Sequence, residues 1–230
     1  MKRSKLLFTI VALIAALVVP MSSPRANGKL DEVLAHMERV ARSIKTIESD
    51  MRQEKRNMQI GGKEVYAGKI RFLHASKDCD KIRIDYSIPA GQVVVVDCNK
   101  IALYQPSINQ AILTTRQAQA SQNQEFSFIA TPYKSVPELK TQYTIEYAGE
   151  EPVGAASTAK LELTPKRASS AKKLTLWVDQ SSWLPIKYQV IETNNNVTAF
   201  TLSNMKMNGG FSGNPFKLPF WPAGTKEVHR

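Results

Sequence analysis

The chain has 230 residues, 43% of them hydrophobic, and 31 Lys and Arg against 20 Asp and Glu give a formal net charge of +11. That length can build one core or one large sheet. The basic residues are scattered through alternating stretches and not gathered on one helix. This argues against a nucleic-acid partner and leaves anionic lipid, an acidic partner or plain solvation to account for the charge.

Residues 1 to 26 open with Lys2, Arg3 and Lys5, continue as an apolar run from Leu6 to Val19 and end in small and helix-breaking residues. The run is short for a membrane span, and the order of regions is that of a secretory signal peptide. Export is therefore expected, with residues 27–230 as one domain; an uncleaved N-terminal anchor is the alternative. Cleavage would remove Lys2, Arg3, Lys5 and Arg25 and no acidic residue, so the remainder stays basic.

From Lys29 to Ile44 the residues Leu30, Val33, Leu34, Met37, Val40, Ala41 and Ile44 recur at the three-and-four spacing of an amphipathic helix. Two extended stretches follow, Thr46 to Ile60 and Lys63 to His74, with Gly61-Gly62 as the turn between them. Lys81 to Ile88 alternates strictly, Ile82, Ile84, Tyr86 and Ile88 against Lys81, Arg83, Asp85 and Ser87. That is the pattern of a half-buried strand whose polar side, with Lys81, Arg83 and Asp85, looks at water. Beyond the turn at Pro89-Ala90-Gly91, Val93 to Val96 is apolar on both sides, which raises the question of what covers it.

Cys79 and Cys98 flank this hairpin at nearly mirror-image distances from its turn. In an oxidising compartment an even pair favours a disulfide; two unpaired thiols is the other reading. Further strands are expected at Lys100 to Tyr104, Ala111 to Thr115, Tyr143 to Tyr147, Ala159 to Thr164, Lys173 to Asp179, Pro185 to Glu192 and Val197 to Met207. Between them, Arg116 to Lys140 loses the alternation and gains Gln, Ala and prolines, which reads as short helices and loops. The inventory is one N-terminal helix, about ten antiparallel strands and a helical insertion, and a sheet that long curls.

Signals for chemistry are sparse. His36, His74 and His229 have no acidic or cysteine partner at a metal-ligand spacing, and no nucleophile elbow, zincin, P-loop or dinucleotide fingerprint occurs. The doublets Asp78/Asp80 and Glu150/Glu151 read as solvated turn charges, and Asn196-Val197-Thr198 fits both a glycosylation sequon and a hairpin turn. With no catalytic constellation, metal site or cofactor motif, a binding role is the default and not an enzyme.

Several stretches, in this order, resemble the LolA family of periplasmic lipoprotein carriers. They are Met51-Arg52-Gln53, DKIRIDYSIP (80–89), VVVVDCNKIALYQP (93–106), LELTPK (161–166) and FKLPFWPAGTKEV (216–228). The resemblance implies an α+β, mainly β fold: a curved antiparallel sheet of about ten to eleven strands forming an unclosed barrel, covered by a helical lid. It implies a monomer without cofactor that shields the acyl chains of a lipoprotein. It also implies an inner-membrane ABC-type extractor and an outer-membrane receptor as partners.

The implied cavity would be lined by Met51, by Ile82, Ile84 and Tyr86, by Val94 and Val96, by Leu174 and Leu176, by Ile186 and Tyr188, and by Phe200 and Leu202. The lid is expected at Phe126 to Leu139, with Phe126, Phe128, Ile129 and Tyr133 facing the ligand and Pro132 and Pro137 dividing it into short pieces. Two departures from the family stand out. His74-Ala75-Ser76-Lys77 occupies the place of the usual Arg-Pro, whose arginine is associated with lid closure, and Cys98 replaces the usual glycine after Asp97. Without that arginine the lid is expected to open easily. Other readings are a binder of a different amphiphile, a lipid-sensing regulatory module, and a lipase, for which a nucleophile and base are missing.

Overall fold

Helix α1 runs from Pro24 to Ser43, starting before the apolar periodicity does. The structure is a computed structural model and describes residues 24–76, 79–118, 134–218 and 220–230. Most of the expected signal segment, and with it Phe126, Phe128, Ile129 and Tyr133, lies outside the described residues. One stripe of α1 buries Val33, Leu34 and Met37, with Leu30 and Val40 packed at its edges. The other side is held by local ion pairs, Lys29 with Glu32 at 3.2 Å and Arg42 with Glu38 at 2.8 Å.

The strands are β1 (Thr46–Arg56), β2 (Lys63–Ser76), β3 (Cys79–Ile88), β4 (Val93–Asp97), β5 (Lys100–Gln105), β6 (Gln110–Thr115), β7 (Tyr143–Glu150), β8 (Thr158–Pro165), β9 (Ala171–Asp179), β10 (Pro185–Glu192), β11 (Val197–Met207) and β12 (Lys226–His229). A second helix, α2 (Val136–Gln142), precedes β7. All twelve strands form one unclosed sheet in the order β12-β6-β5-β4-β3-β2-β1-β11-β10-β9-β8-β7. Each neighbour is antiparallel except β12, which lies parallel to β6 and gave no signal in the alternation. The expected fold class is the observed one, with the chain's two halves joined where β11 returns to pair with β1.

Three local readings need correction. The first hairpin does not turn on two glycines. β1 ends at Arg56, opposite Lys63, and residues 57–62 form a loop closed by Asn57 N–H to Gly62 O and Gly61 N–H to Asn57 O. Asn57 stops the strand because its side-chain oxygen accepts from the amides of Gln59 and Ile60. Ile88 does not share the burial of Ile82, Ile84 and Tyr86: it is 52% exposed. Beyond the bulge between Ala67 and Gly68 its strand has reached the turn.

The third correction answers the question posed by Val93 to Val96. Val94 and Val96 join the inner core, whereas Val95, Ala102 and Phe216 are buried apart from it. The outer face of β3 is not left to water. Arg83 donates from Nη1 to Pro215 O at 3.0 Å, and its guanidinium sits over the Phe220 ring at 5.2 Å. Asp85 accepts from Arg83 and from Arg71. Since Val95 pairs with both Arg83 and Ala102, the C-terminal segment around Phe216 covers this patch.

The inner face of the sheet carries the main core. Tyr188 and Phe200, opposite each other on β10 and β11, stack with centroids 4.5 Å apart. Around them lie Ile47, Met51, Ile70, Ile84, Leu174 and Leu176, each at most 3% exposed. From α2, Val136 and Leu139 enter the same cluster.

Candidate ligand-binding site

A cavity of about 220 Å³ opens where the C-terminal half of α1, the start of α2, the ends of β2 and β3, and the β9–β10 turn converge. Helical spacing brings Met37, Ala41 and Ile44 to one wall. Phe72 supplies the floor from β2, and Trp183, Leu184 and Pro185 the facing wall. Ile44, Phe72, Met37 and Leu184 also belong to the core cluster, so the cavity is continuous with the apolar interior.

Its rim is ionic and already paired. His74 Nδ1 lies 2.7 Å from Asp80 Oδ1. Arg42 bonds Glu38, whose other oxygen accepts the Val136 amide at 2.9 Å and so ties α1 to α2. Ser135 and Glu138 form a reciprocal capping box at the start of α2. Lys134 donates to Gln142 Oε1 at 3.0 Å. Burial pushes the Lys134 ammonium below the usual lysine range; Glu138 opposes this and Arg116 adds to it. An anionic group entering the cavity would offset that cost of burial.

Two devices shape the walls. Trp183 sits at φ 56° in the β9–β10 turn, and its indole stacks on His36 of α1. The turn is organised by Asp179, which accepts from the hydroxyls and amides of both Ser181 and Ser182. At the β3 end, Cys79 and Cys98 are disulfide-bonded with Cα atoms 4.4 Å apart, joining the two strands at their open ends. Arg116 donates from Nε to Cys98 O and from Nη2 to Asp80 O, and burial lowers its pKa.

The residues expected to line a cavity are brought together on one face. Met51, Ile82, Ile84, Tyr86, Val94, Val96, Leu174, Leu176, Tyr188, Phe200 and Leu202 are all buried members of the core cluster, and Ile186 is half-buried beside Pro185. They form the packed interior beneath the cavity, whose own lining comes from α1, Phe72, His74, Asp80 and the Trp183 turn. Sequence reasoning missed His36, Arg42 and Trp183. The signal for the last was a tryptophan in the polar turn DQSSWLP, where burial in its own hairpin gives it no reason to be.

A family profile described as "Outer membrane lipoprotein carrier protein LolA" matches residues 42–219. Among curated proteins none matches the chain. Among solved structures, an uncharacterized conserved protein from Thermus thermophilus is 12% identical with a TM-score of 0.55, covering 88% of this chain and 99% of that one. The MucA/MucB complex structure from Pseudomonas aeruginosa gives 15% identity and a TM-score of 0.50, over 82% of this chain and 60% of that one. A putative outer membrane lipoprotein-sorting protein domain from Vibrio parahaemolyticus gives 13% and 0.48, over 80% and 94%. At such identities the first two structures speak for the fold alone. The profile, spanning most of the sequence, speaks for more: the chain belongs to the LolA family of outer membrane lipoprotein carriers.

Proposed function

We propose that this protein is a periplasmic carrier that hides the acyl chains of a lipoprotein between α1, α2 and the inner face of the sheet while the cargo crosses from inner to outer membrane. The observation that carries the reading is the cavity at the α1–α2 junction, apolar in its depth, ionic at its rim and continuous with the core. In this reading residues 1–26 direct export, residues 27–230 act as one carrier domain, and an inner-membrane ABC-type extractor and an outer-membrane receptor hand the cargo on.

Moving an acyl chain from water to an apolar site gains about 0.8 kcal/mol per methylene. Shielding therefore needs no covalent step and no cofactor. At about 220 Å³ the cavity is below the roughly 300–1,000 Å³ of ordinary ligand pockets. A long chain must displace α1 or α2 from Ile44, Phe72 and Leu184, and the core residues beneath, from Met51 to Leu202, become its lining. That same displacement gives a receptor a means of unloading: pressing the helices back onto the sheet removes the space.

Native mass spectrometry of protein purified from the periplasm, before and after organic extraction, tests the reading. A co-purifying acylated species that extraction removes is the expected result. Protein that is free of lipid and fails to take up a fluorescent acyl probe would sink it.

A further inference from the structure

Among the described residues five large hydrophobic side chains are strongly exposed, and four of them gather at one end of the sheet. Met58 (59%) and Ile60 (81%) lie in the β1–β2 loop, Ile88 (52%) leads into the β3–β4 turn, and Ile108 (60%) lies between β5 and β6. These turns share one end because consecutive strands are antiparallel neighbours. The β3–β4 and β5–β6 turns touch: a Cβ on Gly91 would lie 3.3 Å from the Pro106 ring. The cavity is at the opposite end, with the β9–β10 turn and the start of β3.

The β1–β2 loop reaches past β3. β2 begins at Lys63, but β3 pairs with it only from Ala67 onward, so the hairpin overshoots its neighbour by about four residues, roughly 13 Å of strand. The loop is also built and not slack. Asn57 holds the amides of Gln59 and Ile60, Gly61 takes φ 73°, and the Met58 amide donates to Asn196 of the β10–β11 turn. Presenting two apolar side chains to solvent on a braced loop costs hydration free energy that a polar tip would avoid.

Charge identifies the occupant. Arg56 and Lys63 stand at the base of the loop, sharing Glu54, and beyond the β10–β11 turn the β8–β9 turn carries exposed Lys166 and Arg167, with Lys172 beside the Asn195 turn. Of the carboxylates at this end, Glu54, Glu64, Glu146, Glu162 and Glu192, Glu54 is shared by Arg52, Arg56 and Lys63 and Glu162 is held by Lys173. Apolar tips ringed by cations match an anionic bilayer surface, where side chains enter the interface and the ammonium and guanidinium groups meet phosphates. We propose that this end of the sheet, led by Met58 and Ile60, docks on anionic membrane with the cavity facing away from the bilayer.

Co-sedimentation with vesicles tests it. The purified protein should bind vesicles of mixed phosphatidylcholine and phosphatidylglycerol, bind phosphatidylcholine alone weakly, and lose the difference at high salt. Met58→Ser with Ile60→Ser should weaken binding about tenfold or more, and Lys166→Glu with Arg167→Glu should abolish the preference for anionic lipid. Met207→Ser, whose side chain is 44% exposed at the other end of β11, should change nothing. Uptake of an acyl probe by the Met58/Ile60 variant should be unaffected, which separates this proposal from the carrier reading. Absence of binding to anionic vesicles, equal binding by the Met58/Ile60 variant, or self-association through this loop in sedimentation velocity would each overturn it.

Discussion

The imidazole of His36 lies flat on the indole of Trp183, ring centroids 4.0 Å apart and planes inclined by 14°. One residue belongs to α1 and the other to the β9–β10 turn, so the pair fastens the helix to the sheet beside the cavity. A stacked aromatic contact contributes about 0.5–1.5 kcal/mol beyond its area. Trp183→Ala should destabilise the protein by about 1–2 kcal/mol and speed amide exchange in residues 36–43. Exchange in that half of α1 that stays at the wild-type rate would mean that the core contacts of Val33, Leu34 and Met37 hold the helix unaided.

Asp179 sets the turn that presents Trp183. Burial alone would raise its pKa, but hydrogen bonds from the hydroxyls and amides of Ser181 and Ser182 outweigh it and hold the carboxyl below its ordinary value. A carboxyl depressed on folding stabilises the protein fully above its unfolded pKa of about 3.9. That contribution is lost as pH falls through the lower folded value. The side chain is half-buried at the surface and partly screened by solvent, so the contribution is about 1 kcal/mol. Urea midpoints measured on both sides of about pH 4 should show this increment in the wild type and not in Asp179→Asn. The same acid-dependent loss in both proteins would assign it to other carboxylates.

At Gly68 the backbone of β3 leaves no room for a side chain on β2. A Cβ there would lie 2.2 Å from Asp85 O and 2.9 Å from Tyr86 Cα, both backbone atoms that cannot swing aside. Gly68→Ala must therefore open the pairing next to the bulge between Ala67 and Gly68. A loss of about 2–4 kcal/mol in chemical denaturation is expected. Gly209→Ala, whose Cβ would meet nothing within 4 Å, serves as the comparison and should be nearly neutral. Comparable losses in the two variants would point to chain flexibility and not to the clash.

The sheet was legible because its inner face obeys a period of two with little interruption. Ile82, Ile84 and Tyr86, or Tyr188 and Val190, declare their side by alternation alone. The outer face was misread at β3 because Arg83 and Asp85 look solvated in sequence. Their cover comes from Pro215 and Phe220, more than a hundred residues away, and no local pattern encodes that. The cavity was hidden for the same reason. His36, Glu38, His74, Asp80, Val136 and Trp183 come from five separate segments, and polar residues on helix ends and turns read locally as solvent-facing. What sequence could supply was the pairing of Cys79 with Cys98, since one hairpin fixes both ends.

Cys98 occupies a position that the family usually fills with glycine, and its backbone shows why: φ is 54°, the left-handed region, in the tight turn where Asp97 pairs with Lys100. A residue with a side chain is strained there by about 1 kcal/mol relative to glycine. The disulfide to Cys79, closing a loop of 19 residues, offsets that strain with about 3 kcal/mol. The two effects separate in a pair of double variants. Cys79→Ser with Cys98→Ser should lose about 3 kcal/mol, because it gives up the cross-link and keeps the strained turn. Cys79→Ser with Cys98→Gly should lose about 1 kcal/mol less. The Arg116 bond to the carbonyl of residue 98 uses backbone alone and is available to both variants, so it does not confound the comparison. Equal stabilities of the two reduced variants, measured by denaturant titration, would show that residue 98 carries no conformational strain and that the cysteine displaced a glycine without cost.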